Sequence, residues 1–130
     1  MRNFLLVDFV TKMNNAKRWY YKAVVIENSN INREILKLFL QIGIIRGYTI
    51  EDPRFIEVWL KRRNGRCVFR KIRVVSIPSK PVYVDLVKLG KLKDKSNTSF
   101  FIVSTSIGLL YDFQCIYNNI SGKVILKIDL

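Results

Sequence analysis

Three adjacent hydroxyl side chains, Ser104, Thr105 and Ser106, stand between the apolar run Phe100-Phe101-Ile102-Val103 and the pair Leu109-Leu110, with Gly108 just beyond them. Each hydroxyl both donates and accepts, so the set suits phosphate oxygens, sugar hydroxyls and base edges. Gly108 has no Cβ to hold off an approaching ligand backbone. Ser and Gly are also ordinary turn residues, so the same string reads equally well as a plain turn. The surrounding chain has to discriminate between the two.

Other chemistries are short of parts. The chain has no histidine, and its two cysteines, Cys67 and Cys115, are isolated, so a zinc site lacks ligands and Ser-His or Cys-His nucleophiles are excluded. They read as buried free thiols of a reducing compartment. A nuclease would need paired carboxylates, but Glu51 and Asp52 fall in a predicted turn and Asp112 at the start of a short helix. No enzymatic activity, cofactor, metal or small-molecule substrate is therefore expected. Charge is the stronger signal. The 130 residues carry 23 Lys and Arg against 10 Asp and Glu, a formal +13, while 49% of residues are hydrophobic. Such an excess opposes compaction and points to a polyanionic partner, nucleic acid first and an anionic membrane surface second. No apolar run is long enough to span a bilayer, and no secretory signal or Arg- and Ser-rich presequence is expected.

The elements that must position these groups follow from periodicity. Residues 3–17 predict a helix, with Phe4, Val7 and Thr11 on one line, Leu6, Val10 and Met13 on the next, and Asn3 as its cap. The aromatic and β-branched stretch 19–26 predicts a strand packed on the following helix. That helix starts at Asn30 as N-cap, carries the stripe Ile31, Ile35, Leu38, Phe39 and Ile42, and stops at Gly43. Residues 44–51 and 55–61 read as paired strands. Asn64-Gly65 is a strong hairpin signal, leading into a third strand over 66–75. Two prolines in Ser76-Ile77-Pro78-Ser79-Lys80-Pro81 mark a lobe boundary, giving an amino-terminal α/β lobe over 1–75 and a β-rich lobe over 76–130. Beyond it come a short strand at 82–84, a short helix at 85–92, a basic loop over 91–97, and a strand at 100–105. Another strand starts at Gly108, followed by a helix over 112–118, a turn over 119–122 and a last strand over 124–128. The fold class is α+β.

Two separated segments carry a resemblance. Asp8-Phe9-Val10-Thr11-Lys12-Met13-Asn14-Asn15-Ala16 resembles the opening helix of the bacterial-type small-subunit ribosomal protein eight family. Val103-Ser104-Thr105-Ser106-Ile107-Gly108 resembles its Ser-Thr-Ser hallmark. Between them, Gly43-Ile44-Ile45 is similar to the family's Gly-Phe-Ile and Ser76-Ile77-Pro78 to its Ser-Arg-Pro, with Tyr83 at the family's tyrosine and Gly122 at its closing turn. The resemblance implies a two-lobe protein that binds a stem in the central domain of small-subunit rRNA during assembly, alongside neighbouring small-subunit proteins. The Ser-Thr-Ser loop would meet the minor groove. Ile107 replaces a frequent lysine, Ile77 an arginine and Ser79 a glycine, so two familiar positive charges are missing.

The candidate RNA-binding residues are accordingly Ser104, Thr105, Ser106, Gly108, Tyr83 and Ser76, with the cations Lys80, Lys91, Lys93 and Lys95 and, on the first helix and its end, Lys12, Lys17 and Arg18. A-form RNA exposes phosphates, 2′-hydroxyls and a shallow minor groove, which short hydroxyls fit. Tyr83 reads either as a stacking ring or as ordinary core. Each cation alone reads as a solvated surface charge, and only the excess makes the set persuasive. Trp19, Tyr20 and Tyr21 mimic a stacking platform but are expected to pack as a strand. The alternatives are a basic peripheral membrane-surface protein, disfavoured by the mixed charge of Arg33, Glu34 and Lys37, and an RNA-binding translational repressor using the same surface. Richness in Ile, Lys, Asn, Phe and Tyr indicates AT-rich codons. With a start that coincides with the first helix of the resembled family, the expected location is the small subunit of a mitochondrial ribosome in the matrix, with a plastid or an AT-rich bacterium as alternatives.

Overall fold

A computed structural model describes residues 2–76, 81–85 and 99–130, which divide after Arg70 into two compact units. The first unit runs α1 (Arg2–Arg18), β1 (Ala23–Glu27), α2 (Asn30–Ile42), β2 (Ile45–Asp52), β3 (Phe55–Leu60) and a small ribbon, β4 (Arg62–Arg63) with β5 (Arg66–Cys67). Its main sheet is antiparallel in the order β1-β3-β2.

Alternation along β3 decides which face of that sheet is covered. Ile56, Val58 and Leu60 are buried with Ile26 and Ile45, while Phe55 and Trp59 are exposed. The helices supply the other half of the core with Leu6, Phe9, Val10, Met13 and Ala16 from α1 and Ile35, Leu36, Leu38 and Phe39 from α2. The Phe9 and Phe39 rings meet at 5.8 Å. The Val7–Thr11 line expected inward faces out, with Val7 and Thr11 exposed. On the sheet's outer face, registration sets Val25 and Thr49 beside Glu57, and Glu27 and Asp52 beside Phe55, so carboxylates and apolar side chains alternate there.

Local signals set most ends. Gly43 closes α2 at φ 76°, and Asn64 and Gly65 turn the ribbon at φ 55° and 78°, the positive values a two-residue hairpin needs. The N-cap of α2 is Ser29, whose hydroxyl accepts from Asn32 N at 3.2 Å; Asn30 is already helical. Asn3 lies inside α1, which begins at Arg2.

The second unit holds β6 (Lys71–Val74), β7 (Tyr83–Val84), β8 (Ser99–Thr105), β9 (Gly108–Tyr111), α3 (Asp112–Asn118) and β10 (Gly122–Asp129). Its antiparallel sheet runs β6-β10-β8-β9, with β7 also paired to β10. Phe101, Val103, Cys115 and Val124 form a buried cluster flanked by Val75, Val82 and Leu110. The single strand expected over 66–75 is two. Its first part stays in the ribbon of the first unit, and its second pairs with β10, Leu126 opposite Val74. The division of the chain therefore falls at Arg70, five residues before the proline-marked boundary. The buried Asp129 carboxylate at the far end accepts from Ser99 Oγ at 2.7 Å and lies 3.6 Å from Arg73 Nε. The helix expected over 85–92 and the basic loop over 91–97 lie outside the described residues, apart from Asp85 itself.

Burial raises the Cys115 thiol above its usual range, and the Asp112 charge adds to it. Burial raises Cys67 too, against the opposing pull of Arg62 and Lys17, and lifts the Tyr111 phenol still further, again helped by Asp112. All three groups are thus held neutral by the fold, and the stability they contribute is complete below their unfolded pKa values and is lost as pH rises through the folded ones. The urea midpoint is expected to fall progressively above about pH 9, where thiols and then phenols ionise in the unfolded chain. A midpoint flat from pH 8 to 10.5 would contradict this.

Candidate nucleic-acid interface

The strand pairing of the second unit explains where the hydroxyls go. β8 and β9 form a hairpin whose last pair is Thr105 with Gly108, leaving Ser106 and Ile107 as the turn. Gly108 sits at φ 116°, a conformation a side chain strains against. Thr105 Oγ1 accepts from Ile107 N at 3.3 Å and donates to Gly108 O at 2.7 Å. Its hydroxyl therefore holds the turn together. Ser106 and Ile107 are exposed at the tip, and no hydrogen bond among the described residues engages the Ser104 or Ser106 hydroxyl.

One residue back from that turn, registration builds a row across four strands. Tyr83 pairs with Lys123, Lys123 with Ser104, and Ser104 with Leu109. Directly paired residues project from the same face, so these four share one side of the sheet, with Tyr83 and Ser104 about 10 Å apart across two strand spacings. It is the side opposite Val103, Val124 and Leu110, which turn into the core. Tyr83 is 69% exposed, which decides its two readings in favour of an outward ring. Lys123 is not among the residues expected from the sequence. Its signal is present in Gly122-Lys123-Val124, where a lysine precedes an apolar strand position after a glycine turn, but its neighbours are set by register alone.

Two residues support this row from behind. A Cβ on Gly122 would fall inside the van der Waals envelope of the Ser104 carbonyl oxygen and 3.1 Å from Val103 Cγ1. Only a glycine lets β10 run this close to β8. Ser76 is buried, 4% exposed; its hydroxyl donates to Val124 O and accepts from Val82 N at 2.9 Å. With Val124 N donating to Val82 O, it ties the segment before Tyr83 to β10. Expected as an RNA contact, the Ser76 hydroxyl instead points into the fold and acts by holding Tyr83's strand in place.

In the first unit, Lys12 pairs with Asp8 at 3.1 Å one helical turn away, and Lys17 Nζ donates to Arg70 O. The strand expected from residue 19 begins only at Ala23. Trp19 N donates to Asn15 O and Tyr21 N to Ala16 O, both at 2.9 Å, so the aromatic triplet continues the end of the helix. Tyr20 adopts φ 61°, and Trp19, Tyr20 and Tyr21 are 61%, 72% and 57% exposed. They do not pack as a strand on α2. The Arg18 guanidinium lies 5.5 Å from the Trp19 ring centre and that of Arg62 lies 5.3 Å from Tyr20. Lys80, Lys91, Lys93 and Lys95 lie outside the described residues. Among the described residues no three His, Cys, Asp or Glu side chains gather as metal ligands, and no helix is long and apolar enough to cross a membrane.

The family model for ribosomal protein S8 matches residues 5–128. The chain belongs to the ribosomal protein S8 family. Among its relatives, the small ribosomal subunit protein uS8m of Acanthamoeba castellanii, a mitochondrial form, is 35% identical over 124 residues and covers 95% of both chains. The bacterial uS8 proteins of Anaplasma marginale (strain Florida) and Kosmotoga olearia are 32% and 33% identical, covering 92% of this chain and 92% and 93% of their own. The S8 family consists of ribosomal proteins and not of enzymes. Membership bears out the resemblance read from the first helix and the Ser-Thr-Ser turn, as well as the α+β fold with a β-rich second lobe. It lends no support to a membrane-surface protein or a repressor.

Proposed function

We propose that this S8-family chain is a structural constituent of the small ribosomal subunit that binds a central-domain stem of its rRNA and supports assembly there, beside neighbouring small-subunit proteins. The observation that carries the reading is the outward row of Tyr83, Lys123 and Ser104 running up to the Ser106 tip, in a chain of formal charge +13. Two unengaged hydroxyls, one amine and one ring on one sheet face match what a shallow minor groove offers, namely 2′-hydroxyls and base edges flanked by phosphates. Ile107 at the tip carries no charge, so the turn works by fit and hydroxyl bonding. Lys91, Lys93 and Lys95 with Lys80 supply phosphate contacts along the chain, and Lys12, Lys17 and Arg18 add charge from the first lobe. The uS8m relative and the AT-type composition support placement in a mitochondrial ribosome.

Changing Ser104 and Ser106 together to alanine is expected to weaken binding to the cognate stem by about 1–3 kcal/mol, the usual consequence of losing buried hydrogen-bond partners, with the melting temperature unchanged. Unchanged affinity in a folded double variant would show the segment to be a turn and nothing more. Replacing Lys91 and Lys93 by alanine should instead flatten the dependence of affinity on salt, by about 0.7–0.9 in slope for each phosphate no longer neutralised. Retention on anionic vesicles with no preference for structured RNA would remove the proposed rRNA contact.

A further inference from the structure

The end of α1 and the β4–β5 ribbon form a second surface that the row on the second unit leaves unexplained. Trp19, Tyr20 and Tyr21 stand consecutively in water, which is unusual for so much aromatic area unless it meets a partner. Their arrangement is fixed. Tyr21 N is held by Ala16 O at 2.9 Å, Tyr21 O accepts from Arg62 Nη2 at 3.0 Å, and Tyr20 sits at φ 61°, a conformation a bulky residue keeps only when its surroundings impose it. Arg18 and Arg62 each lie against one of the rings. Across the ribbon Arg62 pairs with Cys67, and the next pair, Arg63 with Arg66, alternates to the other face; Arg63 and Arg66 line a surface hollow of 490 Å³ with Cys67. Neither residues 14–22 nor residues 61–71 contain an Asp or Glu.

We infer that this surface is a binding site for unpaired RNA, in which bases stack on Trp19 and Tyr20 while Arg18, Lys22 and Arg62 hold the phosphates. Exposed aromatic faces beside arginines and no carboxylates are what a splayed single strand requires, because every base has a π-face and every linkage a negative charge. A duplex fits poorly, since its base faces are covered by stacking. A membrane surface fits poorly too. One face each of Trp19 and Tyr20 carries a guanidinium, and no aliphatic side chain of the triplet is available to insert. The inference takes from the proposed function only that the chain meets RNA; it does not depend on the stem contact by Ser104 and Ser106.

The test uses the full chain carrying Trp59→Phe, which leaves Trp19 as the single tryptophan, and an unstructured twelve-nucleotide RNA at 0.3 M salt, where non-specific charge binding is suppressed. The oligonucleotide is expected to quench Trp19 emission. Followed by the fluorescence anisotropy of an end-labelled oligonucleotide, since no tryptophan then remains, Trp19→Leu with Tyr20→Leu, which keeps apolar bulk but removes the π-faces, is expected to lose at least about fivefold in affinity for it, given the usual contribution of base–aromatic stacking. Affinity for the cognate stem should change less than twofold. Trp19→Phe, which keeps a π-face, should retain most of the oligonucleotide binding, and an unchanged urea midpoint of the leucine variant controls for its misfolding. Absence of quenching, or equal affinity in the leucine variant, would overturn the site and leave the rings to a protein partner. If Ser104→Ala with Ser106→Ala abolished oligonucleotide binding as well, a single RNA surface would replace the two. Loss of stem recognition alone would count against the proposed function and leave this site standing.

Discussion

Gly122→Ala is expected to lower the stability of the second unit by about 3 kcal/mol, the upper part of the range for forcing atoms into a packed site. The added methyl would meet the Ser104 carbonyl oxygen, its carbon at 3.0 Å and Val103 Cγ1 at 3.1 Å. The first two are backbone atoms in the middle of a paired sheet and have no rotamer to escape into. Relief requires β10 to move away from β8, and the pairs most affected are Lys123 with Ser104 and Val124 with Val103. The variant should therefore lose rRNA affinity along with stability, and the Ser104 and Thr105 amides should exchange faster than those of β3. Two other glycines act as internal controls. Gly108→Ala has open space, so only its φ of 116° resists, at about 1–2 kcal/mol. Gly47→Ala has neither obstacle and should be near neutral. Equal urea midpoints for the three variants would mean that the close approach at Gly122 has no energetic weight.

Ser76→Ala is expected to cost about 2–3 kcal/mol, because one substitution leaves two buried backbone groups, Val124 O and Val82 N, without the hydroxyl that joins them. The effect separates it from the serines of the turn. Ser104 and Ser106 should change affinity without changing stability, whereas Ser76 should change stability first. Affinity should follow only as far as Tyr83's strand loosens from β10. Stem binding measured well below the melting temperature should thus fall less than for the Ser104 and Ser106 double variant. A stable Ser76→Ala protein with a large affinity defect would return Ser76 to the RNA contacts.

Much of the architecture was legible from local chemistry. Gly43 and Asn64-Gly65 dictate backbone conformations that few other residues adopt, and β3 alternates between buried Ile56, Val58 and Leu60 and the more exposed Phe55, Glu57 and Trp59, a period visible in the residue types themselves. Where expectation and structure part, a long-range or cooperative term overrode a local one. Trp19, Tyr20 and Tyr21 have strong β propensity, but the carbonyls of Asn15 and Ala16 still needed donors, and the helix end took them. The stretch 66–75 looks like one strand because its composition is uniform. It breaks because Val68 N bonds to Lys61 O in the first unit while Val75 N bonds to Ile125 O in the second. The candidate site was legible as a set of residue types and not as a surface. Ser76, Ser104, Thr105 and Ser106 are chemically near-identical, yet one is a buried tie, one closes a turn and two face solvent. That sorting follows from register and burial, which no spacing in the sequence encodes.

The carboxylates on the outer face of the first sheet affect how the chain meets a polyanion at all. Glu27, Glu51, Asp52 and Glu57 account for four of the ten acidic residues and lie on one small three-stranded sheet, where Arg54 Nε lies 3.5 Å from Asp52, while α1 ends in Lys17 and Arg18. Such segregation gives the first unit an electric dipole, so a phosphate backbone exerts a torque on it before any contact forms. Approaches that present the helix end to a polyanion are favoured over those that present the sheet. For a chain that binds RNA as proposed, the orientation of capture would thus be biased during diffusion, an effect that added salt weakens by screening the field.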